Sequence, residues 1–264
     1  MGSRLAPLRN YQRSYCKDGQ IDTQHLSMFS ALKKDFFGGG DLSSANNNNN
    51  NNNSNSPKVL YPGCHRHITP SLVFPDITYV DSDKKVGDIF DIENNSYIRE
   101  WIEENSEYKN TDTVARIRFI HTSYANMKKV RRHKIVLDSF DLLISLSAGI
   151  VTHDGLDFLQ TGGYYLVNAA HADAMVAYLQ PSLRLRAYWD EEEGKFSQDQ
   201  NALKDLFMAR VKGSKKRARN TDDGYMPISE DQVNEAVRVG VKSKRSFVLK
   251  REPMTYVFEK ISLE

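Results

Sequence analysis

Cysteine is scarce in this chain: Cys16 and Cys64 are the only two among 264 residues, and they stand far apart with no metal-type pairing. Neither a disulfide framework nor a zinc finger is encoded, no secretory leader is expected, and a reducing, cytoplasmic compartment follows. Long apolar runs are missing too. The longest, around residues 140–150, falls well short of the roughly 20 residues a membrane-spanning helix requires, so no membrane partner is expected. Charge of one sign is also lacking, since 36 Lys and Arg against 34 Asp and Glu leave a net +2. Affinity for nucleic acid would have to come from local runs. Absent as well is a G-x-G-x-x-G turn, which argues against a nicotinamide-dinucleotide oxidoreductase.

What the chain does have is size and pattern. Its length and 39% hydrophobic content suffice to bury one full α/β core. Residues 1–57 stand apart, because asparagine runs unbroken from Asn46 to Asn53, too polar a tract to order itself, and reads as a linker. Ahead of it Leu26, Phe29, Leu32 and Phe36 recur at helical spacing, with Thr23 as N-cap and Gly38 as stop. Across residues 58–264 strands and helices alternate, as in a parallel sheet covered on both sides. Strands are expected at 59–61, 77–81, 115–120, 141–147, 164–168, 183–189, 247–249 and 255–261. Helices are expected at 97–104, at 152–159 with Gly162 and Gly163 as its stop, and at 172–179. A helical and basic insertion occupies about 190–245, with Leu203, Leu206 and Phe207 buried and a capping box from Ser229 to Gln232.

The stretch from Lys58 to Asp81 is the most telling. Val59-Leu-Tyr-Pro-Gly63 reads as a strand entering a glycine turn, and Ile77-Thr-Tyr-Val-Asp81 as a strand ending on a carboxylate. Backbone approaches a ligand where no side chain intervenes, and a carboxylate at a strand tip accepts both hydroxyls of a ribose. Together with Phe140-Asp-Leu-Leu-Ile-Ser-Leu-Ser147 and Leu159-Gln-Thr-Gly-Gly-Tyr-Tyr-Leu-Val-Asn168, these segments resemble the class I S-adenosylmethionine-dependent methyltransferase family over roughly residues 59–263, the insertion apart. The resemblance implies a Rossmann-like methyltransferase fold: a mostly parallel seven-stranded sheet with helices on both faces and an antiparallel edge strand from the late strand pair. It implies S-adenosylmethionine as cofactor, cradled by Gly63, Cys64, His65, Asp81, Thr122 and Ser147. The chain departs from the family where Tyr61 replaces an acid and where His65 and His67 stand for glycines, aimed toward the methionine end. It also lacks the Asn/Asp-Pro-Pro-Tyr pattern, which argues against methylation of nucleic-acid bases.

Methyl transfer asks for alignment and, where the acceptor must lose a proton, for a base. His171 and Asp173, just past the fifth strand, are the candidates, with His153 behind them. Cys64-His65-Arg66-His67 carries metal-binding side chain types, yet neighbours on one turn do not converge on a tetrahedral ion and no second cluster in sequence closes the shell. No metal is expected. Arg66 with the two imidazoles suits an anion at a helix N-terminus instead. Lys212 to Arg219 and Lys242 to Arg245 concentrate positive charge, and Lys215 to Arg219 would suit nuclear import. Without interleaved aromatics nucleic acid is not the favoured partner, and the acidic Asp190 to Glu193 is expected to pair with these runs. The acceptor is thus an unidentified small molecule or protein. A different class of function, an inactive methyltransferase-like module that binds a partner protein through the insertion, also fits the lost glycines.

Overall fold

The computed structural model describes residues 6–16, 21–38, 56–90, 96–129, 135–146, 148–213 and 224–263. The asparagine tract, the basic run at 215–219 and Ser147 lie outside the described residues.

Six strands follow the expected rhythm: β1 (Lys58–Pro62), β2 (Asp76–Asp81), β3 (Arg116–His121), β4 (Phe140–Ser145), β5 (Leu159–Asn168) and β6 (Leu183–Asp190). Five more come later, β7 (Lys195–Ser197), β8 (Met208–Val211), β9 (Met226–Pro227), β10 (Phe247–Leu249) and β11 (Thr255–Lys260). The main sheet has eight strands in the order β3-β2-β1-β4-β5-β11-β6-β7. β1 to β6 run in one direction, β11 is threaded antiparallel between β5 and β6, and β7 forms an antiparallel edge. The chain steps outward from β1 through β2 to β3, then returns to lay β4 on the other flank of β1. Crossovers leave β1 toward opposite sides at this point, the arrangement that in open α/β sheets places ligand sites outside the carboxyl ends of the strands.

Strand periodicity divides the core in two. Val59, Tyr61, Ile77, Tyr79, Leu142 and Ile144 face one layer, while Leu60, Val80, Leu143, Tyr165 and Val167 face the other. The first layer is covered by α1 (Ala6–Tyr15), α2 (Thr23–Phe37), α3 (Gly87–Phe90) and α4 (Ser96–Asn105), and the second by α5 (Thr152–Gly155), α6 (Asp173–Tyr178), α7 (Gln200–Asp205) and α8 (Glu230–Val239). Helix α1, which no apolar repeat in the sequence announces, buries Leu8 and Tyr11.

Several expectations shift. The N-cap of α2 is Asp22, whose carboxylate accepts from the His25 amide; Thr23 is already helical. Helix α5 ends at Gly155 because β5 begins at Leu159, and Gly162 and Gly163 lie inside that strand. There the ladder to β4 shifts register between Phe140 and Leu142, and a Cβ on Gly163 would sit 2.9 Å from the Gln160 carbonyl. Glycine marks a bulge here, not a helix stop. Of the late strand pair only β11 joins the main sheet; β10 pairs with β8 in a second sheet of order β10-β8-β9. The capping box at Ser229 forms as its spacing requires. Leu203, Phe207, Ile228, Val233 and Phe247 share one apolar cluster with Leu143, Tyr165 and Phe258, so the insertion completes the core of the domain.

Candidate active site

The carboxyl ends of β1, β2 and β3 meet near the loop after β4, at the switch point. Gly63 leaves β1 at φ 62 and donates its N–H to the Val80 carbonyl at 2.7 Å. Its missing Cβ would lie 2.4 Å from the Cβ of Ala148. The glycine is therefore demanded twice, by a left-handed backbone and by the β4 loop lying against the turn. Across the turn, Asp81 at the tip of β2 accepts the His65 N–H on Oδ2 at 2.8 Å and the Asp83 N–H on Oδ1 at 2.9 Å. Thr122, just past β3, donates its N–H to the Asp81 carbonyl at 2.9 Å, and its half-buried side chain lies beside that strand tip. The fold thus gathers Gly63, His65, Asp81 and Thr122; Ser147 lies outside the described residues.

Two neighbours in the turn behave differently from expectation. Cys64 is 1% exposed and packs in the α1/α2 layer, where burial, with the Asp81 charge adding, pushes its thiol well up. Its side chain belongs to the core, not to a cofactor surface. His67 is equally buried and turned into the same layer, stacked on Tyr15 at 4.5 Å. Burial holds it down at about 4, against the opposing pull of Asp22, so it is neutral at physiological pH. Only His65 remains at the surface, with φ 46 and a 3.1 Å hydrogen bond between Nδ1 and the Tyr15 hydroxyl.

The two candidate bases have separate fates. Asp173 is 1% exposed, and both its oxygens are engaged. Oδ1 accepts the N–H and hydroxyl of Thr152, while Oδ2 accepts Ser145 Oγ, the Val151 N–H and Tyr165 Oη, at 2.6 to 3.1 Å. This carboxylate ties the end of β4 to α5, β5 and α6. A group with five donors on it has no access to an acceptor, so the expectation of a general base gives way to a structural pin. His171 by contrast is exposed, with φ 54, in a turn whose next residue, Ala172, has φ 69. Non-glycine residues in the left-handed region carry strain. The turn opens on a cleft of about 330 Å³ lined also by Asn168, Lys242, Arg245 and Glu252. Arg245 is buried there, held to Glu252 at 3.4 Å, and its Nε has no partner among the described residues. His153 is exposed on α5.

The basic run around Lys242 is partly neutralised, since Glu252 pairs with both Lys242 and Arg245. Among the described residues the acidic stretch pairs elsewhere, Asp190 with Arg251 at 3.1 Å and Glu193 with Lys195. No helix among the described residues is long and apolar enough to cross a membrane.

The strand order, the switch point beside β1 and the antiparallel strand set between β5 and β6 define a class I methyltransferase-like, Rossmann-like fold. No family model and no curated protein sequence matches the chain. Solved structures similar to it include a methyltransferase from Geobacter sulfurreducens, 8% identical with a TM-score of 0.38, covering 71% of this chain and 84% of that one. Another is an rRNA methylase from Streptococcus thermophilus, 9% identical with a TM-score of 0.34 over 78% of this chain and 89% of the other. A geranyl diphosphate methyltransferase in complex with SAM is 9% identical, with a TM-score of 0.33 over 78% and 79%. The fold assignment rests on the strand order rather than on these alignments.

Proposed function

We propose that the protein is an S-adenosylmethionine-dependent methyltransferase whose acceptor docks in the cleft beside His171. The observation that carries this reading is the Asp81 carboxylate at the tip of β2, next to the switch point. An ionised carboxylate offers about four lone-pair sites. Two are taken by the His65 and Asp83 amides. The remaining two suit the paired hydroxyls of a ribose, with the Gly63 turn and Thr122 beside them. When bound, the cofactor supplies an electrophilic methyl group. The chain's own part is to align the acceptor and, where the acceptor is a hydroxyl or protonated amine, to take its proton. His171 is suited to that step by its exposure and its place at the carboxyl end of β5. Lys242 and Arg245 line the same cleft, where Glu252 pairs with both.

Calorimetric titration of the full chain with S-adenosylmethionine and its demethylated product tests this reading. Both bind, and Asp81→Ala weakens them about a hundredfold or more, since two charge-assisted hydrogen bonds are worth roughly 1.5–3 kcal/mol each. Absence of heat and of thermal shift with either ligand at millimolar concentration refutes the proposal. So does unchanged affinity in a folded Asp81→Ala variant.

A further inference from the structure

The loop after Gly63 contributes a second constellation, packed in the layer of α1 and α2. Asp22 caps α2, His25 follows one helical turn later, and His67 arrives from the loop after β1. Asp22 Oδ2 faces His25 Nδ1 at 2.7 Å and His67 Nε2 at 3.2 Å. The three donor atoms all lie within 4.8 Å of one another. Asp22 and His67 are 4% and 2% exposed, while His25 opens the cluster to solvent at 27%.

A tetrahedral ion with ligands at about 2.0–2.1 Å keeps its donor atoms about 3.3 Å apart. The separations from Asp22 Oδ2, 2.7 and 3.2 Å, both fall short of that value, so the side chains spread apart to admit an ion between them. The outer contacts are in place too. His67 Nδ1 lies 3.0 Å from the hydroxyl of buried Tyr61, and Asp22 Oδ1 accepts the His25 amide at 3.2 Å. A ligating imidazole needs its other nitrogen held in this way, which fixes the ring and its tautomer. With Nε2 on an ion, the His67 proton sits on Nδ1 and points at Tyr61. Buried Thr69 donates its hydroxyl to Asp22 Oδ2 at 3.4 Å.

We infer that Asp22, His25 and His67 form a site for one zinc-class divalent cation, which clamps α2 onto the loop between Gly63 and Thr69. Two imidazoles and one carboxylate, with a fourth position open, are a donor set that zinc accepts. Asp22 and His67, which face each other in the site, are 45 positions apart in the chain, which is why neighbouring residues of the loop could not supply it.

The test is metal loading of the full-length chain after stripping with a chelator. Zinc binds at one ion per chain by elemental analysis and raises the midpoint of thermal unfolding, as any ligand selective for the folded state must. Cobalt in its place gives the visible absorption of a tetrahedral site. His25→Gln, which alters the most exposed of the three side chains, weakens zinc about a hundredfold or more with its circular dichroism unchanged, because a ligand is lost. Asp22→Asn, which keeps a capping oxygen on α2, does the same. Failure to retain stoichiometric zinc overturns the inference, as does wild-type affinity in both variants.

Discussion

Replacing Asp173 distinguishes a pin from a base. Asp173→Ala strands five donors inside the protein: the amides of Val151 and Thr152 and the hydroxyls of Ser145, Thr152 and Tyr165. The hydroxyls can turn, and Thr152 Oγ1 and Tyr165 Oη already lie 3.3 Å apart. The two amides cannot. At about 1–3 kcal/mol for each buried donor left unmade, the amides alone cost roughly 2–6 kcal/mol, and a loss of about 4 kcal/mol is expected. That is a large share of the roughly 5–15 kcal/mol by which a domain is usually stable. Asp173→Asn keeps the volume and one acceptor oxygen but sets an NH₂ against donors, and loses about half as much. Urea unfolding followed by tyrosine and tryptophan fluorescence reads the change in midpoint, with the slope checking that the unfolded state is comparable. A variant that keeps its stability within about 1 kcal/mol of the parent refutes the pin, since that is less than even one unmade amide bond typically costs.

Gly63→Ala pays about 1–2 kcal/mol for a left-handed backbone and more for a Cβ 2.4 Å from that of Ala148. Adding Ala148→Gly relieves the collision but not the strain, so chemical denaturation should show the double variant regaining part of the loss; full recovery, or none, contradicts the geometry. Ser229→Ala removes the capping box of α8, whose Val233 and Ala236 are buried. A loss of about 1 kcal/mol is expected from the same measurement, and an unchanged midpoint would show that the cap contributes nothing.

Much of the alternation was legible because burial imposes a period. Val59, Leu60 and Tyr61 read as a strand buried on both faces, and the structure sends them to opposite layers. The box at Ser229 was equally plain, since both partners lie within one helical turn. Other readings failed where local sequence is degenerate. A glycine pair after an apolar run marks a helix stop or a strand bulge with equal force, and only the β4 ladder made Gly162 and Gly163 a bulge. Helix α1 was missed because just two of its residues, Leu8 and Tyr11, are buried, too few to set a repeat.

Sequence by itself determined the α/β class, the carboxylate at the tip of β2 and the glycine turn at Gly63, since each depends on neighbours a few positions away. Tertiary structure alone decided the duties of the polar side chains. Asp173 looks like a base at the end of a strand until Ser145, Thr152 and Tyr165 close on it, and His67 Nε2 meets Asp22 only where the N-cap of α2 packs on the loop. A buried polar group is stable only with its hydrogen bonds satisfied, and here the satisfying groups come from elements far off along the chain.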